Sequence, residues 1–189
     1  LAALVGHKFL MAYLACLILS VLYSVPPFRL KARAGWDVLV NSVGYGALTI
    51  YAGWAASGRD LAPPIVSVVI AFFCFFAGFY PLTQIYQMEE DSSRKDSTFA
   101  LALGKRGALI AGCVGVGLGF VLLFAEAVQR YWVWRSAGLG LALLAWMAVL
   151  VPWYRDWSKV SVEYEQRRFY LALYAWALTD IVVAITFMP

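Results

Sequence analysis

Apolar residues gather in six long blocks along this chain, at 9–25, 38–57, 65–86, 107–126, 136–152 and 168–188. Polar and charged residues are confined to the short intervals between them. A helix needs about 20 apolar residues to cross the hydrocarbon core of a bilayer. The pattern therefore predicts six transmembrane helices, the first and fifth of them short. Residues 1–7 read as the tail of an earlier span. Helix is the economical choice, because lipid cannot satisfy open backbone N–H and C=O groups. The expected fold is all-α: a polytopic transmembrane helical bundle forming one domain over 1–189.

Breakers agree with these boundaries. Pro26-Pro27 ends the first span, since proline lacks a backbone donor and disfavours helix in the residue before it. Ser57-Gly58 and Pro63-Pro64 bracket the second turn, and Pro152 is expected to close the fifth span. Gly115 and Gly119 form a small-xxx-small pair, which lets two helices approach closely.

Composition strengthens the membrane reading. The chain is 63% hydrophobic and 14% charged, against roughly 25% charged in soluble domains. Eight Trp and eleven Tyr suit the bilayer interfaces. A net charge of +4 does not point to nucleic acid, and no such partner is expected. Cys16, Cys74 and Cys113 lie far apart in apolar blocks and read as packing residues. His7, the single histidine, reads as a helix-end residue.

The bases are distributed unequally. Arg29, Lys31, Arg33, Arg94, Lys95, Lys105, Arg106, Arg155, Lys159, Arg167 and Arg168 fall on one side of the alternating spans. Lys8, Arg59, Arg130 and Arg135 fall on the other. Cytoplasmic loops carry the excess of Lys and Arg, so the first group is assigned to the cytoplasm.

Two of these loops carry candidate chemistry. Glu89, Glu90, Asp91 and Asp96 are four of the chain's eleven acids, with Arg94 and Lys95 among them. Read as one helix, positions 83, 87, 90, 91 and 94 share a face. A hard cation such as Mg2+ takes oxygen ligands, one or two carboxylates being completed by water and substrate phosphate. Glu90 and Asp91, with Gln87 one turn before Asp91, are the candidate metal ligands. Arg94 and Lys95 stand ready for phosphate oxygens. The other loop runs Tyr23-Ser24-Val25-Pro26-Pro27-Phe28-Arg29-Leu30-Lys31. An extended path after the prolines would point Arg29 and Lys31 the same way. A solvated charge run and a simple stop signal are the plain alternatives for these two loops.

The second loop resembles the Y-S-x-P-P-x-R-x-K segment of UbiA-type prenyltransferases. The stretch Glu90-Asp91-Ser92-Ser93-Arg94-Lys95-Asp96-Ser97-Thr98-Phe99-Ala100-Leu101-Ala102-Leu103-Gly104 resembles that family's second acidic motif. Two spans separate the elements, as in the family. The resemblance implies an intramembrane enzyme that joins an isoprenoid diphosphate to a hydrophobic acceptor, an aromatic ring or a lipid head group. It implies Mg2+ as cofactor and Asp91 as the downstream metal-binding acid. It places Tyr23, Arg29 and Lys31 as catalytic residues bordering a diphosphate pocket that Arg94 and Lys95 complete.

The match has departures. Gln87 stands where the family commonly has an acid, and the family's first acidic motif, N-D-x-x-D-x-x-x-D, is absent. With six spans seen of about nine, the expectation is that N-terminal helices are missing. A non-catalytic membrane scaffold is the alternative these departures favour. A transporter would need polar residues lining several spans. Asp37 and Asn41, one turn apart in the second span, are candidates for an acceptor or supporting contact. Asp180 is an acid deep in the sixth span, expected to pair helices or to lie near a tunnel end. Glu126 and Arg130 are expected to pair at the opposite surface.

Overall fold

The computed structural model describes residues 1–130 and 133–187, with backbone alone at 133–135. The helices are α1 (Ala2–Val5), α2 (His7–Ser24), α3 (Trp36–Asn41), α4 (Thr49–Ala56), α5 (Pro63–Ile85), α6 (Met88–Ser93), α7 (Phe99–Gln129), α8 (Val133–Asp156) and α9 (Val162–Phe187). Among the described residues the only strand-like pairing is a parallel bridge between Arg33 and Ser97. The protein is an all-helical integral membrane bundle, with five helices among the described residues long and apolar enough to cross a bilayer.

The second predicted span, 38–57, is helical in three pieces. A π-helical segment, Ser42–Leu48, joins α3 to α4. Side chains crowd the ladder here: Asn41 Nδ2 donates to the Asp37 carbonyl at 2.7 Å, and Ser42 Oγ to the Val38 carbonyl at 2.8 Å. Such back-bonding competes with regular helix, and π-turns often mark functional segments.

Other boundaries moved. Pro152 does not close its span; it lies inside α8, which runs on to Asp156. Transmembrane helices tolerate proline where neighbouring groups re-satisfy the freed carbonyl. The fourth span, expected at 107–126, begins already at Phe99. Gly104, at φ 69° and ψ 168°, sets the first turn apart from the rest of α7. The last residue predicted for the sixth span, 188, and the Arg135 side chain lie outside the described residues.

α5 and α7 form the tight centre of the bundle. A Cβ on Gly115 would lie 2.5 Å from the Gly78 nitrogen and 2.6 Å from the Cys74 carbonyl, so the backbones touch. Gly119 gives its space to the Phe75 ring. Both members of the small-residue pair thus serve close approach. Aromatic edges continue this core into α8 and α9, with Phe75–Phe120 at 5.0 Å and Phe79–Trp176 at 5.1 Å between ring centres. α2, by contrast, buries only Ala12.

Polar ties define the two ends. At one end, Lys105 donates to Glu165 at 2.7 Å, joining α7 to α9. At the other, Ser67 and Arg130 donate to Glu126 at 2.8 and 2.7 Å, as expected for Glu126 and Arg130, and Lys8 pairs with Asp60.

Candidate functional site

α2 stops at Ser24 because Val25, before Pro26, takes the extended conformation that proline imposes. The chain does not stay extended. Residues 26–28 turn, Arg29 adopts a left-handed conformation (φ 38°, ψ 54°), and Leu30–Ala32 make one 3-10 turn. The extended presentation of Arg29 and Lys31 is therefore replaced by a reversal at Arg29. A non-glycine residue held there is uncommon. The reversal lets the guanidinium reach Asp96, 3.1 Å away on the other loop.

The acidic loop is broken differently from the single helix expected. α5 ends at Ile85, and Gln87 (φ −103°, ψ 0°) caps the short α6. The shared face through 83, 87, 90, 91 and 94 is thus interrupted at Gln87. Its amide donates to the Tyr86 hydroxyl at 2.8 Å. Glu90 is exposed and pairs with Arg94 one turn on. Asp91 is half-buried, and burial pushes its carboxyl above the usual carboxylate range; the Thr98 hydroxyl and the Arg94 charge oppose this, and the charges of Asp96 and Glu90 add to it. Lys95 is left-handed, at φ 58°. The buried Thr98 hydroxyl faces the Asp91 carboxyl without a well-aligned hydrogen bond.

The two loops are fastened to each other. Ser97 N donates to the Ala32 carbonyl at 3.1 Å, and the Arg33–Ser97 bridge lies alongside. The hydroxyls of Tyr23 and Tyr80 hydrogen-bond to each other. Tyr23, Arg29 and Lys31 therefore share one end of the bundle with Glu90, Asp91, Arg94 and Lys95. Among the described residues neither Lys31 nor Lys95 has a carboxylate partner.

Behind the junction sits Asp37, wholly buried. Its carboxylate accepts from Gln84 Nε2 at 2.8 Å, Phe99 N at 2.7 Å and Val38 N at 2.9 Å. Gln84 in turn accepts from Ala100 N at 3.1 Å. Asn41 donates to the Asp37 carbonyl and lines a cavity of about 360 Å³ with Tyr23, Ser20 and Tyr45. A second cavity, about 610 Å³, lies between α4, α5 and α9 and is lined by Trp54, Phe72, Trp176 and Asp180. Tyr45 and Thr49 line both cavities.

Two contributors escaped sequence reasoning. Asp96 had only its place in the acidic run as a signal, and Gln84 only its being an amide in an apolar block. Tyr80 is one of several aromatic candidates for facing a carbocation, among which the sequence favours Tyr23 alone.

The donor set suits a hard cation in part. Asp91 is a carboxyl that burial holds above its usual range, and a nearby cation would relieve it. Among the described residues no three His, Cys, Asp or Glu side chains converge on one point. The protein oxygens here would need completion by ligand oxygens, the usual habit of Mg2+.

A family model described as the UbiA prenyltransferase family matches residues 1–179. No curated protein matches the chain. Among solved structures it is similar to a UbiA homolog from Archaeoglobus fulgidus bound to Cd2+, at 20% identity and a TM-score of 0.64. That likeness, one of fold, covers 97% of this chain and 67% of the other.

Proposed function

Because the chain belongs to the UbiA prenyltransferase family, we propose that it transfers a prenyl group from an isoprenoid diphosphate to a membrane-soluble acceptor, an aromatic ring or a lipid head group. The observation that carries this reading is the junction of the two loops, Arg29 on Asp96 and Ser97 on Ala32. It gathers cations and carboxylates at one end of an otherwise apolar bundle.

In the reaction, the allylic C–O bond breaks and its electron pair leaves with the diphosphate. The allylic carbon then bonds to the acceptor, which loses a proton. Arg29, Lys31, Arg94 and Lys95 bind the departing anion, Arg as a planar fork and Lys as a point charge. Preorganised charge at the leaving group lowers the barrier most where water is scarce. Tyr23, held by Tyr80, borders the allylic end, where an aromatic face stabilises developing positive charge. The adjoining cavities suit the isoprenoid chain, the larger being walled by Phe72 and Trp176. Asp91, with Glu90 and Gln87, would hold Mg2+, which supplies charge neutralisation to the diphosphate. The base-rich loops face the cytoplasm by the excess of Lys and Arg they carry.

The test is an assay of the intact protein in membrane extract with labelled prenyl diphosphates of several lengths. Label passing to a lipid or aromatic acceptor, only when Mg2+ is present, is the expected result. Recovery of the label as unreacted diphosphate alone would contradict the proposal.

A further inference from the structure

The acidic loop is fastened from behind by a polar cluster that touches none of the charges in front. Asp37, on α3, is wholly buried, and Gln84, on α5, is 4% exposed. A carboxylate without exposure is costly unless its oxygens are hydrogen-bonded. Asp37 meets this demand with three N–H donors, two of them from other elements. One is the Phe99 amide, an unsatisfied donor in the first turn of α7. Gln84 bridges, its Nε2 donating to Asp37 and its Oε1 accepting from Ala100 N. The first two amides of α7 are thus held by side chains from two different helices.

This first turn is mechanically separate. Gly104 breaks α7 behind it, and Gln87 breaks the chain in front of α6. Residues 88–103 form a segment set between two breaks. Toward the solvent it is tied by Arg29 to Asp96 and by Ser97 to Ala32. Toward the core it is tied by Asp37 and Gln84.

We infer that Asp37 and Gln84 are positioning residues: they fix residues 88–103, and with them Asp91, Arg94 and Lys95, against Arg29 and Lys31 so that one diphosphate can meet both loops. This rests on the prenyl-transfer reading for the identity of the ligand. It assigns Asp37 the part of a hydrogen-bond acceptor rather than of a charge facing metal or substrate.

That distinction sets the test. Asp37→Asn keeps one oxygen able to accept from both Gln84 and Phe99 and gives up the oxygen that accepts from Val38 N; Asp37→Leu keeps none. Gln84→Leu frees the Ala100 amide but leaves Phe99 held. Two quantities are read on the intact protein: hydrogen exchange of the Phe99 and Ala100 amides, and the Mg2+-dependent affinity for inorganic diphosphate. Exchange reports local opening, and losing a buried acceptor costs enough to raise it about tenfold or more. Asp37→Leu should do this at Phe99 and weaken diphosphate binding about 10–100-fold, the range for supports behind a ligand-holding group. Gln84→Leu should open Ala100 more than Phe99, and Asp37→Asn, which keeps the acceptor for Phe99 and Gln84 and loses the one for Val38 N, should perturb both quantities clearly less than Asp37→Leu. If Asp37→Leu does not fold, Gln84→Leu and Asp37→Asn carry the same comparison.

Asp37→Asn as damaging as Asp37→Leu at Phe99 and in diphosphate binding would overturn the inference, because keeping the acceptor for Phe99 and Gln84 would then make no difference. Wild-type exchange and diphosphate affinity in Gln84→Leu would overturn it too. If exchange follows the expected order while wild-type protein binds no diphosphate, the prenyl-transfer reading falls and the fastening of this loop stands.

Discussion

The two ends of the bundle handle charge and backbone strain in opposite ways. At the end of Lys8, Asp60, Glu126 and Arg130, each acid meets a base, and positive φ falls on glycines, Gly6 and Gly58. At the other end positive φ also falls on Arg29 and Lys95, the bases of the two loops. Such backbone costs on the order of 1–3 kcal/mol per residue and persists only where surroundings enforce it. Here Asp96 holds Arg29, and the Asp37–Gln84 cluster holds the segment that carries Lys95. Three acids at this end are spent on Arg29, Arg94 and Lys105, while Lys31 and Lys95 have no carboxylate partner among the described residues. At one end both acids are paired and Arg59 lies over the Trp54 ring; at the other, positive φ falls on two bases, and Lys31 and Lys95 meet no carboxylate among the described residues.

The contrast can be broken most severely at Asp91. Asp91→Ala should lower Mg2+-dependent prenyl transfer about 10²-fold or more, the scale for removing one charge-stabilising group from an active site. Normal turnover in that variant would remove Asp91 from the site. Arg29→Ala comes next: it leaves Asp96 unpaired and should weaken diphosphate binding about tenfold or more, as measured by titration. Arg29→Lys should recover little, because an ammonium lacks the planar fork.

A smaller effect separates packing from chemistry. Gly115→Ala forces a methyl into the Gly78 backbone and should cost about 1–3 kcal/mol of stability, read as a lower melting temperature in detergent. Diphosphate affinity per folded molecule should stay at the wild-type level. The smallest effect is expected at the end of Lys8. Lys8→Ala should leave both melting temperature and diphosphate binding unchanged within error, since exposed pairs add little. A clear loss of binding in Lys8→Ala would erase the distinction between the ends.

Much of the bundle was legible because lipid leaves the chain few options. Long apolar blocks must be helices, and the bounds of α2 and α5 fell close to those read from the pattern. The errors came where tertiary contacts override local signals. Pro152 sits inside α8, and Gly104 kinks a helix that hydropathy alone would start later. The π-helical segment depends on side chains bonding back to their own carbonyls, which no apolar count registers. In the loops, residue types were readable but the path was not. Two prolines suggested extension, yet Arg29 reverses the chain because Asp96 and the Ala32–Ser97 contact reward the turn. The Asp37–Gln84 pair joins residues 47 positions apart. The sequence marked each only as a polar residue in an apolar block, with no means of pairing them.

The central claim is that the two loops form one anion site at the strained end. An acyl-phosphate probe, which transfers its acyl group to lysines beside bound phosphate, tests it directly when labelled lysines are mapped by mass spectrometry with and without Mg2+ and competing inorganic diphosphate. The account predicts that Lys31 and Lys95 are both labelled and both protected by the competitor, while Lys8 is indifferent to it. Protection of only one of the two, or of Lys8 equally, would contradict it.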